Sequence, residues 1–547
     1  MDASKAELPI GYYLDNFLYL LDFVTDRYAD LLVATERDFV RGFGQFSLSA
    51  QRLYVRLALR KGPIFRSDKV EYSEIPAVIA AVEELTLGGF LDAGDDEDLT
   101  CLLGLLVKPE LVRLRPQFEG LSRKALLVEI AASISSEEFF NFIDFAVYRP
   151  RRLEVLKVFR LLFFGNLRQD FTEFVLNDLG IMPYENYDID GMSRFFDRRQ
   201  KIEQALVLDD LAEQADARIS ANDRQWLRSY RRLLPVDLDP GLQRRLDKIN
   251  NRVARQLERL NDHEAALALY AETCSGAARE RSVRMLATHL GRVDVAIDLC
   301  QQIIESPEHE AEFEFGCQFA ERLARNKADA LWQALPVLPK LDYPIQQLNL
   351  ERRVSERVEL AVVRHFESAG DRAYYVENSL FTAIFGLVFW DVIFAPVKGA
   401  FFNPFQRGPA DLFTPAFRIA RADALKLRLQ ELSSIKDLRT RVLAVAEQKA
   451  GITNPFVNWG HINLQLFEAC FERVPLRHFH EIFERILRDP LANRSGFPDL
   501  IVFPLVGDYF LAEVKGPNDK LQANQIRWLR YFSSAQIPHR LVNVEWQ

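Results

Sequence analysis

The sequence predicts a multidomain, mainly α-helical protein that ends in a smaller α/β domain. Its length of 547 residues is enough for several domains. Apolar residues recur with helical spacing over most of residues 136–370. Runs typical of β-strands come near the C-terminus, in DLIVF, YFLAEVK and HRLVNVEW. We therefore divide the chain into four regions, residues 1–100, 101–150, 151–370 and 371–547.

Bulk composition excludes some classes of protein. The net charge is −9 and the isoelectric point is near 5.6, which excludes a uniformly basic nucleic-acid coat but allows a local basic track. The five cysteines form no CxxC pair, which argues against a zinc finger or a disulfide framework. The N-terminus lacks the pattern of a secretion signal, so we expect a cytoplasmic protein. The most apolar run, NSLFTAIFGLVFW, is too short to cross a bilayer, so we expect no membrane association.

Residues 1–100 show helical periodicity followed by a small mixed element. The segment ends in GGFLDAGDDEDL, which is a turn signal. A winged-helix-like region that binds DNA is one interpretation of this order. A plain helical N-terminal cap is the other.

Residues 101–150 contain two short apolar helices around the extended stretch RLRPQFEG. This arrangement resembles the SAP motif, a helix–loop–helix that lies on the DNA backbone. Its basic residues would contact phosphates without reading the base sequence; they are Arg113, Arg115, Arg123 and Lys124. Two ordinary helices with solvated arginines would give the same pattern.

Residues 151–370 carry a faint internal repeat. NDHEAALALY (261–270) aligns with GRVDVAIDLC (291–300), and both place a small residue, Ala266 or Ala296, where two helices could approach closely. This resembles a tetratricopeptide-like array of helical hairpins, which forms a curved scaffold. Plain helical packing is the alternative.

Three charges inside two apolar runs indicate a metal site. Asp499 opens DLIVF, and Glu513 and Lys515 close the next run, on one face of a predicted strand. A hairpin can bring Asp499 beside them. Two carboxylates and backbone oxygens suit Mg²⁺ or Mn²⁺, whereas Lys515 could orient an attacking water or neutralise charge on a phosphate. This is the PD-(D/E)xK nuclease pattern; the alternative is a surface hairpin with an exposed Glu–Lys pair.

A fourth acid often completes such a site from an upstream helix, and Glu377 is the candidate. It begins ENSLFTAIFGLVFWDVIF, where a charge stands at the start of an apolar helix. The alternative is that Glu377 simply complements the dipole at the helix N-terminus.

The motifs also resemble those of a known family. GFPDLIVF and AEVKGPNDKLQANQIRWL resemble the VRR-NUC nuclease domain, and ENSLFTAIFGLVFWDVIF resembles the upstream helix of the Fanconi-associated nuclease family. The likeness is strong from about residue 371 and looser before it, and it is to a bacterial-type member. It implies a structure-specific, metal-dependent DNase of the phosphodiesterase I type, which cuts 5′ flaps, degrades DNA 5′→3′ and acts in interstrand crosslink repair. The implied partner is branched DNA, namely a 5′ flap or a nicked or gapped duplex.

The resemblance also implies roles for individual residues. Glu377, Asp499, Glu513 and the carbonyl of Val514 would bind one or two Mg²⁺ or Mn²⁺ ions. Lys515 would be the catalytic lysine, and Gln525 would face the site from the next helix. The family's basic pocket for the 5′ phosphate would use Arg494 first and Lys520 second, although each could equally be a solvated surface charge.

Two other functions fit the same motifs. A four-way junction resolvase would need a symmetric dimer, but the helices between Phe417 and Asp489 are insertions that would block such pairing. We therefore expect a monomer on its substrate, associated with a bacterial nucleoid. A non-catalytic DNA-binding scaffold is the other alternative, and the intact set of acids and lysine argues against it.

Overall fold

The computed structural model describes residues 9–94, 97–169, 171, 182–190, 193–274, 276–324, 338, 343–353 and 355–547. The chain divides into two compact units, residues 1–181 with 196–202, and residues 182–195 with 203–547. In these ranges no helix combines the length and the apolar character that crossing a membrane requires.

The first unit is mostly helical with one small sheet. Its strands are β1 (Phe65–Arg66), β2 (Leu91–Ala93) and β3 (Val147–Pro150), paired antiparallel in the order β1–β3–β2. Its described helices are α1 (Tyr12–Tyr28), α2 (Ala34–Phe43), α3 (Leu48–Ala58), α4 (Val78–Leu87), α5 (Leu99–Gly104), α6 (Lys108–Leu114), α7 (Arg123–Ala131), α8 (Ser136–Phe142) and α9 (Leu153–Phe164).

Buried aromatic rings hold the first unit together. Phe39 and Phe43 of α2, Tyr54 of α3 and Phe90 before β2 are all buried, and the ring centroids of Phe39 and Phe90 are 5.1 Å apart. Helices followed by a small sheet agree with the winged-helix-like interpretation. The central strand β3 comes from outside residues 1–100, a long-range pairing that the local pattern does not indicate.

The helical part of the second unit packs successive helices as antiparallel hairpins. Ala266 and Ala296 are both fully buried, as expected for positions where helices approach closely. These helices are most of α10 (Arg199–Ser220), then α11 (Arg224–Ser229), α12 (Gln243–Arg259), α13 (His263–Tyr270), α14 (Gly276–Thr288), α15 (Val293–Glu305) and α16 (Glu310–Ala324). We call α12 to α16 the scaffold helices.

The C-terminal part of the second unit is a five-stranded mixed sheet covered by helices. The strands β4 (Ile345–Leu350), β5 (Arg372–Tyr375), β6 (Leu500–Phe503), β7 (Phe510–Lys515) and β8 (His539–Trp546) lie in the order β4–β8–β7–β6–β5. β8 is parallel to β4 and β7, and β6 is antiparallel to β5 and β7. The helices are α17 (Val358–Ser368), α18 (Leu380–Val388), α19 (Trp390–Ile393), α20 (Pro415–Ala420), α21 (Ala422–Glu431), α22 (Ile435–Gln448), α23 (Leu464–Arg473), α24 (Leu476–Arg488) and α25 (Ala523–Ser534).

The interior strand β6, between β7 and β5, is buried on both faces. Leu500 and Val502 pack with α17, whereas Ile501 and Phe503 belong to the larger core formed with α18, α24 and α25. A strand covered on both sides needs an unbroken apolar run, which is why LIVF shows no alternation. Asp499 comes directly before this strand.

The helical run LQANQIRWLRYFSSAQ before the last strand run predicts a crossover to a parallel strand, and helix α25 confirms it by connecting β7 to β8. The sequence also predicts amphipathic helices near 416–433, 435–450 and 462–489, the last broken at Pro475, and these are confirmed as α20 with α21, α22, and α23 with α24. The prediction of helix through residue 370 is wrong for 345–350, which form the edge strand β4. In IQQLNL only Leu348 and Leu350 are buried, so the alternation is too short to identify the strand from the sequence.

Candidate active site

Asp499 is fixed to two neighbouring segments. Its backbone carbonyl accepts hydrogen bonds from the N–H groups of Val376 (2.8 Å) and Glu377 (3.0 Å). Its side-chain Oδ2 accepts one from the N–H of Val514 (2.9 Å), and the residue is only 9% exposed. The β6–β7 hairpin therefore brings Asp499 to the end of β7, as the sequence predicts.

Glu513 and Lys515 share one face of β7, also as predicted. Glu513 is fully buried (0% exposed), and the Lys515 Nζ lies 2.9 Å from its Oε1. This ion pair lacks hydrogen-bond geometry, and among the described residues neither oxygen of Glu513 receives a hydrogen bond. A fully buried carboxylate normally has several donors, so these two oxygens suit a positive ligand in addition to the Lys515 ammonium.

Burial raises the pKa of both carboxyl groups, that of Glu513 more than that of Asp499. Burial, and then the charge of Asp499, raise the pKa of Glu513 to about 8. Burial raises the pKa of Asp499 to about 6, although the Val514 N–H and the Lys515 ammonium act in the opposite direction. Strongly shifted carboxyl groups side by side are typical of functional sites. A bound cation would displace the carboxyl protons.

The oxygen donors around this point fit a hard divalent cation. Oε1 and Oε2 of Glu513 and the side chain of Asp499 supply carboxylate oxygens. The N–H and C=O of one residue in an extended strand point to the same side. Since the Val514 N–H bonds Asp499, the Val514 carbonyl is on that side too. Such an all-oxygen set suits Mg²⁺ or Mn²⁺ better than softer metals.

Gln525 lies next to the lysine. Its Oε1 accepts a hydrogen bond from the Lys515 Nζ (3.2 Å) and one from the N–H of Gln522 (2.9 Å). The second bond is a capping contact at the start of α25, which fixes the amide in place. Gln525 therefore faces the site and orients Lys515.

Glu377 is not on the upstream helix, and this corrects the prediction. It occupies a turn between β5 and α18 with a positive φ of 32°. Its exposed carboxylate accepts hydrogen bonds from the Tyr375 hydroxyl (2.5 Å) and the Asn378 amide (3.1 Å). In the part of the chain that the structure describes, no three acidic, histidine or cysteine side chains converge closely enough to hold a metal ion. Glu377 is near enough to raise the pKa values of Asp499 and Glu513, while its own carboxylate is hydrogen-bonded to its sequence neighbours.

Arg494 lies in the wall of a cleft of ≈ 610 Å³ that Glu377 also lines. It is exposed, with its guanidinium 4.6 Å from the centre of the Phe413 ring. His461 and Asn463 form part of the same wall. The structure therefore brings Arg494 to the site. Lys520 is exposed in the loop between β7 and α25 and does not line this cleft.

The basic residues of the SAP-like motif are mostly engaged in contacts within the motif. The Arg115 guanidinium is 2.7 Å from the Glu138 carboxylate and also donates to a backbone carbonyl at 3.0 Å. Arg123 donates to two backbone carbonyls, and Arg113 lies 5.0 Å above the Phe142 ring. These contacts stabilise the fold of the motif. Lys124 is exposed.

The sequence analysis missed a second basic cleft, in the first unit, with a volume of ≈ 890 Å³. The Arg56 guanidinium lies 4.0 Å from the centre of the Tyr13 ring, and Arg60 donates to the hydroxyl of Tyr72 (3.1 Å). Lys61 and Lys69, both exposed, complete the basic wall. Arginines with aromatic rings are typical of surfaces that bind nucleic-acid strands. The run YVRLALRK could have indicated this basic wall, because Arg56 on α3 and Arg60 just after it are four residues apart.

Asn378 was also missed. Its Oδ1 accepts hydrogen bonds from the N–H groups of Gly496 (2.7 Å) and Phe497 (3.2 Å). This side chain therefore fixes the loop that leads into Asp499. Nothing in the local sequence indicates a contact between residues so far apart in the chain.

Regions near both ends of the chain match models of known protein families. The family model described as "FAN1, HTH domain" matches residues 11–92, and the VRR-NUC domain matches residues 436–546. A Fanconi-associated nuclease 1 homolog from Pseudomonas aeruginosa is 36% identical over 100% of this chain and 99% of its own length. The Arabidopsis thaliana homolog is 25% identical over 94% of this chain, and the Homo sapiens protein 26% identical over 95%. The chain spans 65% and 61% of the lengths of these two.

The fold is also similar to solved structures. A crystal structure of paFAN1 bound to 2-nt 5′ flap DNA with a gap is similar with a TM-score of 0.86 and 34% identity, over 99% of this chain and 99% of that chain. A second structure of paFAN1, bound to 1-nt 5′ flap DNA with a gap, also has a TM-score of 0.86.

Proposed function

The chain belongs to the Fanconi-associated nuclease family, and from that premise we propose that it is a metal-dependent DNase that cuts 5′ flaps and degrades DNA 5′→3′. The observation that carries the proposal is Glu513. This carboxylate is fully buried beside Asp499, and among the described residues its charged partner is the Lys515 ammonium, 2.9 Å from Oε1. A divalent cation bound to the Glu513 oxygens would offset the free-energy cost of burying a charged carboxylate.

The chemistry is phosphodiester hydrolysis by water. When bound, Mg²⁺ or Mn²⁺, as one or two ions, polarises the phosphoryl oxygen and lowers the pKa of the attacking water. Asp499, Glu513 and the Val514 carbonyl hold the metal. Lys515, kept in place by Gln525, directs its ammonium group at the attacking water and at the negative charge that develops on the phosphate.

Glu377 completes the metal site when DNA and metal are bound. Its carboxylate would exchange the hydrogen bond from the Tyr375 hydroxyl for the ion. Its backbone already bonds the Asp499 carbonyl, so the exchange is confined to the side chain.

The substrate is a branched DNA with a 5′ flap or a gap, which is what the similar paFAN1 structures contain. Arg494, at the cleft beside Glu377, captures the 5′ phosphate, with Lys520 as the second choice. Phosphates of the duplex arms contact the basic cleft around Arg56 and the exposed Lys124, with weaker roles for the engaged arginines Arg113, Arg115 and Arg123. A monomer acts on each substrate, in interstrand crosslink repair at the bacterial nucleoid.

The test is cleavage of end-labelled 5′-flap, nicked and four-way DNAs by the full chain. We expect the wild type to cut the flap with Mg²⁺ or Mn²⁺ and not with a chelator. Glu513→Gln should reduce the rate by at least about 100-fold, because a metal ligand is lost. Glu468→Gln is the matched control, since Glu468 forms an exposed ion pair with Arg439 far from the metal carboxylates in the chain.

The same experiment separates the alternatives. Symmetric cuts in the four-way junction by a dimer would favour a resolvase. Tight flap binding without cleavage in any divalent metal would favour a DNA-binding scaffold. Either result would overturn the proposal.

A further inference from the structure

The loop that carries Arg494 and leads into Asp499 is held from behind by a tryptophan. We call residues 493–499 the Asp499 loop. Trp528 of α25 is 1% exposed and donates its Nε1–H to the carbonyl of Ser495 (3.0 Å). Its ring centroid is 4.0 Å from that of Phe497. The indole therefore holds the loop on one side, while the Asn378 side chain holds it through the N–H groups of residues 496 and 497.

Arg485 of α24 supports both the tryptophan and the start of the loop. Its guanidinium lies 4.7 Å from the centre of the Trp528 ring and 4.5 Å from that of Tyr531. Its backbone carbonyl accepts a hydrogen bond from the Asn493 side-chain amide (2.8 Å). Arg485 is only 3% exposed, which is rare for arginine and requires a charged partner.

That partner is Glu310, the first residue of scaffold helix α16. Two nitrogens of Arg485 approach the two carboxylate oxygens of Glu310, at 2.7 and 3.4 Å. Such a paired contact fixes direction as well as distance. Glu310 therefore joins the scaffold to the residue that supports the Asp499 loop.

A second pair on the same helix offers a comparison. Glu314, one turn further along α16, pairs with Arg527 (3.4 Å) and with Arg530 of α25. It joins the same two parts of the molecule, but it does so without Arg485. The two glutamates can therefore be tested against each other.

We propose that Arg485 is a positioning residue that transmits the placement of the scaffold helices to the Asp499 loop and so sets where the DNA strand is cut. The cut falls where the held DNA meets the metal carboxylates. A small displacement of the loop relative to the scaffold changes which phosphate reaches them, and misplacement of reacting groups costs rate steeply. This proposal rests on the proposed flap cleavage.

The experiment maps cut positions under single-turnover conditions. The full-length wild type and the variants Glu310→Gln, Arg485→Lys and Glu314→Gln are each mixed in excess with a 5′-flap duplex labelled at the 3′ end of the flap strand, in Mn²⁺. Glu310→Gln and Arg485→Lys should spread the cuts over neighbouring phosphates and lower the cleavage rate by about tenfold. The concentration for half-maximal flap binding should change little. Glu314→Gln should keep the wild-type cut position.

Cut position separates positioning from stability, because partial unfolding lowers the amount of active protein without moving the cut. Glu310 is partly exposed, so its glutamine variant remains folded even if a variant of the buried Arg485 does not. Unchanged cut positions and rates in Glu310→Gln would overturn the inference, and so would an equal spread in Glu314→Gln. If the wild type itself cuts no flap, it is the proposed function that fails.

Discussion

Glu513 and Glu377 are assigned to the same metal site, yet the molecule surrounds them in opposite ways. Glu513 is fully buried on β7, and among the described residues its oxygens receive no hydrogen bond. Glu377 is exposed in a turn, where Tyr375 and Asn378 donate to its carboxylate. Without a metal ion, the charged form of the Glu513 carboxylate is therefore unfavourable. The charged form of the Glu377 carboxylate is stabilised by solvent and by its two hydrogen bonds. On the proposed function, we therefore expect Glu513 on the rigid strand to bind metal first and Glu377 in the turn to join later.

The largest expected effect is on metal binding without DNA. Glu513→Gln should weaken Mn²⁺ binding by at least about 100-fold, since it removes a ligand that is already in place. Glu377→Gln should leave this binding within about threefold, because its carboxylate is already hydrogen-bonded to Tyr375 and Asn378, while cleavage falls by at least tenfold, about 1.4 kcal/mol. Titration calorimetry with Mn²⁺ and flap cleavage measure the two quantities.

Glu468→Gln serves as the control, and it should change neither binding nor cleavage. If Glu377→Gln weakened Mn²⁺ binding as much as Glu513→Gln does, both carboxylates would hold the metal from the start, and the comparison would fail.

The next effect is the pH dependence of stability in the metal-free protein. The pKa of Glu513 is about 8 in the folded protein, above the ordinary value of 4.5. Between pH 4.5 and pH 8 the folded chain therefore binds more protons than the unfolded chain. Stability must then fall as pH rises toward 8. Glu513→Gln removes this loss and should be more stable than the wild type at pH 9 by about 2–4 kcal/mol, and no more stable at pH 4.

Thermal unfolding in a chelator, at pH 4 and at pH 9, measures this difference. The Glu377→Gln variant keeps Glu513, so its stability should fall between pH 4 and pH 9 about as much as that of the wild type. A Glu513→Gln variant that is less stable than the wild type at pH 9 would show that the charged carboxylate is well solvated or paired.

The smallest expected effect concerns the bond that holds Glu377 away from the site. Tyr375→Phe removes the hydroxyl that donates to Glu377 at 2.5 Å, so the carboxylate turns toward the metal more easily. Losing one such hydrogen bond should tighten Mn²⁺ binding by up to about fivefold. Titration with Mn²⁺ measures the change.

Tyr374→Phe is the matched control, since the Tyr374 ring packs beside Phe503, with 6.2 Å between ring centroids. Weaker binding in Tyr375→Phe would mean that the hydroxyl orients Glu377 for the metal instead of withholding it.

The sequence predicts the arrangement of the β6–β7 hairpin residues well, but it does not predict the conformation of the turn that carries Glu377. Asp499, Glu513 and Lys515 are identifiable because charged residues interrupt apolar runs and because strand alternation puts Glu513 and Lys515 on one face. Glu377 is found through a family resemblance, but its turn conformation is not. The bonds from Val376 and Glu377 to Asp499 connect residues more than a hundred positions apart, so no local pattern reports them.

The basic residues show the same division. The sequence favours the arginines of the SAP-like motif, yet Arg115 and Arg123 bond within it. In the cleft of the first unit Arg56 is likewise paired, with Glu74 at 2.6 Å. The exposed positive charge there includes Lys61 and Lys69. Charge can be counted from the sequence, but whether a guanidinium meets a carboxylate, a carbonyl or solvent depends on packing.

By itself, the sequence determined the mainly helical character of the chain, the crossover that ends it and the acids and lysine of the β6–β7 hairpin. These follow from periodicity and from charges in apolar runs, which are local properties. Only the tertiary structure decided that β4 joins the sheet, that Glu377 faces Tyr375 and that Arg485 connects Glu310 to the Asp499 loop. The physical reason is that each of these depends on surfaces and charges that meet only after distant segments have packed together.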